Sequence, residues 1–354
     1  MFKEYLKRSL DRLFTDYKSI GFWHSTENKI IECLYHDKDW NWYYKATNKS
    51  RYGLFCLSTL LLAKDYNSIN INNYANKISL FAEHILENIY KYPPTDLTYG
   101  ALLSLILANK FKYIKVDTSF IRSLLSKILD FSLKSMDNQN SLVLIPTSYY
   151  LDIDNSHEIK NKSNKLVRYY LNSIDKNNFF STGDLRFNYH QRIMYVLWGL
   201  INYSRHQFES EIYIQSKKTL LHIWNNRRQI AIDNAFIWHP KFYLVKNRFK
   251  YLPHIPILNI KSSRFLFECH QTFFANSINF FNRQFSENFL IAERDLAMSW
   301  IFGNNRMGLN LVDFTKLDVP CRIMTTDKKL FVKGENYKGS YEIGSYILAL
   351  SFYQ

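Results

Sequence analysis

Six stretches of this 354-residue chain set polar and aromatic residues at the very start of long apolar runs. They carry Arg51 and Tyr52; Asp96 and Tyr99; Tyr149 and Tyr150; Tyr189, His190 and Arg192; Glu268, His270 and Gln271; and Tyr341 and Glu342. A segment that only fills a core needs no such residues. Two chemistries fit them. Hydrolysis of a glycosidic bond needs two carboxylates, one protonated and one ionised, facing a sugar. Glu268 and Glu342 have that pairing, with Asp96 or Asp184 as substitutes. Removal of the proton beside a uronic acid carboxylate needs a base and a cation that neutralises the carboxylate. Tyr189, His190 or His270 suits the first role, and Arg192 or Arg51 the second. Trp23, His24, Trp40 and Trp42, in a loop after the first helix, add rings that can stack on a sugar or fold onto the body of the protein. Each position also has a plain structural use, since an acid such as Asp96 or Glu342 suits a helix N-terminus by charge alone.

Glu342 is the strongest single candidate. It follows the turn Lys338-Gly339-Ser340 and opens a run, Ile343 to Leu350, that is almost wholly apolar. The helix dipole favours its charge while an apolar wall opposes it, and the balance decides between general acid and ionised base.

The elements that must position these groups are helical. Apolar residues recur at helical spacing over Met1–Lys18, Arg51–Asp65, Asn72–Tyr90, Thr95–Asn109 and Asp117–Ser135, the last capped by Asp117 or Thr118. Amphipathic segments alternate with segments that are apolar nearly all round, and the latter must be buried on both sides. The later apolar members are Tyr189–Tyr203, Phe267–Phe281 and Ser340–Phe352; their amphipathic partners are Asn161–Ile174, Glu209–Asn225 and Asn288–Phe302. One further member starts near Pro146–Tyr150. About six pairs result, and the expected fold is an all-α toroid of the (α/α)6 type, one domain over 1–354. Small residues inside the buried set (Gly53, Gly100, Gly199, Ala275, Gly344) allow close helix approach. The stretch 230–263 breaks the rhythm with alternating apolar residues, prolines and a turn at Lys246–Asn247, and predicts an inserted hairpin or long loop. The stretch 312–337 predicts a loop with short strands.

Two stretches resemble a known family. Trp300-Ile-Phe-Gly-Asn-Asn305-Arg-Met-Gly308, followed by Gly339-Ser-Tyr-Glu342, resembles the closing segment of α/α-toroid glycoside hydrolases, in which such a turn precedes a last inner helix opened by a catalytic or sugar-binding Glu. Gly183-Asp-Leu-Arg-Phe-Asn-Tyr189-His190-Gln-Arg192 is similar to a segment of toroid polysaccharide lyases in which a Tyr and a His transfer protons near an acidic sugar. Leu185 stands where that family has glycine, and the DAGD-type motif of the endoglucanase branch is absent. The resemblance covers the last third and one further helix. It implies a carbohydrate-active toroid. By their places at helix starts and in the loop after the first helix, Asp96, Tyr99, Gln271, Arg51, Arg192, Trp23, His24 and Trp42 are the substrate-binding candidates beside the catalytic ones.

Cys269-His270 resembles the zinc-binding pair of lanthionine-cyclase-like toroids, but its flanking glycines and a second matching Cys are missing. Asp152-Ile-Asp154-Asn155 falls one acid short of the motif of class II terpene cyclases. A non-catalytic glycan-binding or scaffold toroid is the main alternative to an enzyme. No metal and no cofactor are expected.

Composition bounds the partners. The formal charge of +15 favours an anionic partner, here an acidic glycan. Basic residues form only short groups, such as 160–165 and 246–250, and no nucleic-acid-binding motif accompanies them. Aromatic residues reach 17%, which fits either an A/T-rich genome or a cleft lined with rings. Four separated cysteines suit a reducing compartment. The charged first twenty residues do not read as a signal peptide, and no apolar run is long enough to span a membrane. The expectation is a cytoplasmic enzyme for synthesis or trimming of a bacterial polysaccharide, acting on the polymer or its precursor.

Overall fold

The computed structural model describes residues 2–36, 41–46, 50–173, 190–225, 231–232, 235–236, 242–245, 249–253, 265–267, 270–305, 308, 310–313, 318–320, 323–325, 330–331 and 337–353. Helices alternate in character as their sequences dictate. The amphipathic ones are α1 (Phe2–Phe14), α3 (Ala75–Asn88), α6 (Thr118–Ser135), α8 (His157–Asn172), α10 (Glu209–Asn225) and α12 (Ile291–Ile301). Each buries a stripe; on α1 it is Leu6, Leu10, Leu13 and Phe14. The apolar ones are α2 (Arg51–Asn67), α4 (Pro94–Asp96) continued by α5 (Leu102–Lys110), α7 (Leu144–Leu151), α9 (His190–Tyr203), α11 (His270–Phe285) and α13 (Ser340–Ser351).

The apolar helices close a ring. Helix α2 packs on α5, α5 on α7, α7 on α9, α9 on α11, α11 on α13, and α13 back on α2, while the amphipathic helices lie outside. A helix in the inner ring touches neighbours on every side, so a polar stripe on it would be stranded away from water. Residues 53–63 of α2 are accordingly all buried. The α2–α13 contact is tight: a Cβ on Gly344 would collide with Thr59 Oγ1 and stand 2.7 Å from the Cys56 Cα.

Several expectations are corrected. The predicted helix Thr95–Asn109 is interrupted by a π-helical turn, Leu97–Ala101. The third inner segment begins at Asn138, in a 3-10 turn over Asn138–Val143 that feeds α7, rather than near Pro146. Its Asn138, Asn140 and Ser141 look like loop residues but are fully buried. Tyr149 and Tyr150 therefore close that segment instead of opening it. Phe265–Phe267 is a strand and the next helix starts at His270, later than the expected Phe267. Helix α8 starts four residues earlier than expected, and α12 starts at Ile291, after Leu290 in the left-handed conformation.

Strands are short. The loop expected after the first helix is two hairpins: β1 (Trp23–His24) with β2 (Lys29–Ile30), and β3 (Cys33–His36) with β4 (Trp42–Tyr44). The predicted insertion 230–263 contains β5 (Ala231–Ile232) paired with β6 (Ala235–Phe236), and β7 (Phe242–Val245) paired with β8 (Phe249–Pro253). The predicted turn at 246–247 lies outside the described residues. The Phe265–Phe267 strand, β9, pairs with β10 (Ile323–Thr325), which pairs with β11 (Leu330–Phe331). Strand β12 (Tyr337–Gly339) pairs with β3 and runs directly into α13.

Candidate functional site

Contacts between helix starts show that the inner helices begin at one end of the ring. The Ser50 hydroxyl, just ahead of α2, donates to Asp96 Oδ2 at the end of α4. Tyr52 on α2 packs against Tyr341 on α13, with ring centroids 5.5 Å apart. Arg192 Nη1 on α9 lies 3.6 Å from Asp137 Oδ2, at the start of the third inner segment. The opposite end gathers the helix ends: Tyr149 donates to Asp65 at 2.7 Å, and Asn67 donates to Ser351 at 2.7 Å. The mouth formed by the starts is the candidate site.

Asp96 is 6 % exposed. Besides Ser50, the Thr95 hydroxyl lies 3.5 Å from its other oxygen. The π-helical turn follows immediately and widens the backbone there, a departure from α-geometry common at functional sites. Its charge also reaches Tyr92, whose hydroxyl is pushed up to about 12 by burial first and by Asp96 second. Tyr99 lies in the π turn; its side chain is outside the described ones.

Helix α13 is set by the β3–β12 ladder. Gly339 pairs with Cys33, and Ser340 donates twice to the Glu32 carbonyl, at 2.9 Å from its backbone and 3.1 Å from its hydroxyl. Tyr341 then turns toward the ring axis, where its ring meets Phe55 at 4.2 Å and Phe273 at 5.4 Å. Glu342 is 2 % exposed and lies within electrostatic reach of Cys56 on α2. Burial and, after it, the Glu342 charge push the Cys56 thiol well above its ordinary range. The residue aligned with the axis is thus Tyr341, while Glu342 sits toward α2.

Asp137 accepts from the Gln139 backbone at 2.8 Å and so caps its 3-10 turn while facing Arg192. Gln271, in the first turn of α11, is fully buried with neither amide atom hydrogen-bonded. Arg51 places its guanidinium 5.6 Å from the Tyr52 ring centroid. His190 and His270 open α9 and α11, but their side chains lie outside the described ones. Tyr189, Glu268, Asp184, Cys269 and Trp40 lie outside the described residues altogether.

Two aromatic candidates sit among outer-layer groups. Trp23 is buried between Phe14, 6.2 Å away, and the Lys77 ammonium, 5.7 Å from its ring. His24 stacks on Tyr17 at 4.6 Å and lies 3.5 Å from the Glu27 carboxylate. Trp42 sits in β4, opposite His36. Trp23 is thereby committed to packing on α1 and α3, and His24 to Tyr17 and the Glu27 turn. Asp137, Ser50 and Glu32 were not among the expected site residues. The signal for Asp137 is present in the sequence, as an Asp with polar residues after it and an apolar run beyond, which is the signature of a helix start.

The axis below the mouth is filled by rings. Trp198 stacks on Phe273 at 4.9 Å, and Tyr195 meets the same ring edge-on at 5.6 Å. The space beside them, lined by Ser58, Thr59, Thr98 and Trp198, holds about one water. Those three hydroxyls are spent on helix carbonyls. Among the described residues no three His, Cys, Asp or Glu side chains gather to hold a metal.

Of the motif Trp300–Gly308, the described residues 300–305 end α12 and turn away from it. Gly303 and Gly308 adopt φ of 106° and 61°, which a side chain would strain, and Asn305 donates to the Trp300 carbonyl at 2.8 Å.

No protein-family model matches the sequence, and no curated protein matches it either. Solved structures do match. The chain superposes on the unsaturated glucuronyl hydrolase of Bacillus sp. GL1, responsible for degradation of glycosaminoglycan, with a TM-score of 0.64 at 10% identity, over 99% of this chain and 96% of that one. An unsaturated glucuronyl hydrolase variant from Streptococcus agalactiae, with an aspartate changed to asparagine, gives 0.60 at 11% identity, over 100% and 91%. The α-1,6-mannanase of a Salegentibacter species gives 0.60 at 7% identity, over 99% and 98%. The chain has the fold of the α/α-toroid glycoside hydrolases.

Proposed function

We propose that this chain is a carbohydrate-active hydrolase whose substrate enters at the mouth of the inner ring, with Asp96 and Glu342 as its acid pair. The carrying observation is that two carboxylates, 6 % and 2 % exposed, stand at the starts of the inner helices that flank α2 on either side. A core has no use for two such groups, whereas glycosidic hydrolysis needs one acid at the leaving oxygen and one carboxylate at the sugar. Ser50 and Thr95 hold Asp96 in place, and Tyr341, next to Glu342 in the chain, packs on Tyr52.

An acidic sugar is the favoured substrate. Arg192 and Arg51 stand at the same mouth, and the net charge is +15. The similarity to hydrolases of glucuronyl groups supports this choice, as does a glucuronyl hydrolase aspartate variant solved with dGlcA-GalNAc6S. The filled axis suits a sugar presented by its end rather than a polymer threaded through the ring. Glu268, Tyr189, His190, His270 and Gln271 belong to the same set by their positions in the chain, and would serve proton transfer in a lyase- or epimerase-type reaction. The whole chain acts as one domain in this proposal. Buried thiols at Cys33 and Cys56, neither in a disulfide, suit a reducing compartment, and hence a cytoplasmic enzyme working on a bacterial polysaccharide or its precursor.

The test is turnover on uronic-acid oligosaccharides, read as released reducing ends, for Asp96→Asn and Glu342→Gln. Loss of at least about 100-fold with melting temperature retained supports the acid pair. Full activity in a stably folded Asp96→Asn protein removes Asp96 from the mechanism.

A further inference from the structure

Polar side chains at the starts of the inner segments differ in their access to water. Asp96, Asn138, Gln271 and Glu342 are buried, whereas Arg192 and Asp137 keep 24 % and 41 % of their side-chain surface exposed. These two open neighbouring inner segments and face each other, with Arg192 Nη1 3.6 Å from Asp137 Oδ2. That contact is longer than the about 2.8 Å of a charge-assisted hydrogen bond, so the pair is held by charge and not by the two-bond fork with which a guanidinium grips a carboxylate. The partners are also anchored unequally. The Asp137 carbonyl accepts from the Tyr170 hydroxyl at 2.8 Å, and its Oδ1 accepts from the Gln139 backbone at 2.8 Å. Asp137 is fixed by these bonds and only its Oδ2 is turned to Arg192, whose charge sits at the end of a long side chain with several rotatable bonds.

We propose that Asp137 is a built-in stand-in for the substrate's carboxylate, holding Arg192 in the unliganded protein and giving it up when a uronic acid docks. The proposal rests on the acidic-sugar reading of the mouth and adds the residue that sets its affinity for the carboxylate. The exchange is physically easy. A partly exposed ion pair contributes little, so leaving it costs little, and the incoming carboxylate offers the fork that Asp137 does not. Asp137 cannot follow Arg192 to the new partner, because its backbone and Oδ1 are committed to the turn. A small anion that makes one charge contact gains nothing over Asp137, whereas a carboxylate carried by a docked sugar ring does. Asp137 is thus a positioning residue that acts through Arg192 and selects for anchored carboxylates.

The experiment measures, by calorimetric titration, the binding of two sulfur-linked disaccharides that resist hydrolysis, one ending in a glucuronyl group and the other in a glucosyl group. The proteins are the native chain, Asp137→Asn, Asp137→Ser, Arg192→Gln and the double variant Asp137→Asn with Arg192→Gln. Asn and Ser both keep a side-chain oxygen for the cap, so they remove the charge alone. Asp137→Ala also loses the cap, which disturbs the segment start, and does not isolate the charge. Asp137→Asn and Asp137→Ser should bind the glucuronyl compound about three-fold tighter and the glucosyl compound as the native chain does. Arg192→Gln should bind the two compounds alike, and adding Asp137→Asn to it should change neither. Glucuronyl binding that is unchanged or weaker in both cap-keeping variants, at native melting temperature, overturns the stand-in and leaves the acidic-sugar mouth intact. A glucuronyl preference that survives Arg192→Gln overturns the stand-in too, since Arg192 is then not the carboxylate's partner. Absence of glucuronyl binding in every protein overturns the stand-in together with the acidic-sugar reading.

Discussion

A carboxylate removed from water needs donors, and the two candidate acids differ in how they are held. Asp96 receives the Ser50 and Thr95 hydroxyls, so Asp96→Asn keeps its shape while losing the charge. Glu342 lies instead beside Cys56, in the tight α2–α13 contact. If Glu342 is catalytic, Glu342→Gln loses turnover by about 100-fold or more at an unchanged melting temperature. If its work is packing, turnover follows the loss of stability, so measuring both on one variant decides. A second residue-scale expectation concerns pH. His206 places Nε2 2.9 Å from the Ser148 carbonyl, and burial, more than any charge, draws its pKa below the usual 6.5. His84 is lowered with burial as the first cause too. A histidine whose folded pKa is depressed supports the fold fully above its unfolded value and loses that support as pH falls through the folded one. Melting temperature should therefore decline from pH 7 toward pH 5, and His206→Gln should flatten part of the decline.

At the scale of elements, the contacts that aim the mouth are predicted to be the sensitive ones. Gly344→Ala places a methyl group inside the Thr59 and Cys56 contact, and should cost about 1–3 kcal/mol by overpacking, read from denaturant unfolding. Asp137→Ala removes the cap of the third inner segment and, with it, the ion pair to Arg192. It should cost about 1 kcal/mol and weaken binding of anionic sugars, whereas Asp137→Asn, still able to cap, should restore most of the stability. The identity of Asp137 was available in the sequence, but its position was not. Asn138, Asn140 and Ser141 are polar residues that only the surrounding helices bury, so the first turn of the segment had no apolar pattern to announce it.

For the whole molecule, the ring closes only when α13 meets α2, residues almost 300 apart in the chain by numbering. Unfolding should then be cooperative, one transition by heat with coincident far-ultraviolet and tyrosine signals; two separated transitions would argue for two units. What the sequence by itself determined is the alternation of amphipathic and all-apolar helices, because burial on one side or both is written in the pattern of each segment. It determined the short strands of the insertion and the last loop in the same local way. It also placed Arg51, Asp96, Arg192, Gln271 and Glu342 at helix starts, since a helix start is a local event. Only the tertiary structure decided which side chains meet. The pairing of β3 with β12, some 300 residues apart, aims Tyr341 at the axis and Glu342 at Cys56. The packing of α1 and α3 buries Trp23, and the closure of the ring fills its axis with Phe55, Trp198 and Phe273. Those outcomes depend on contacts between distant segments, and a pattern read along one segment carries no information about which neighbour it will face.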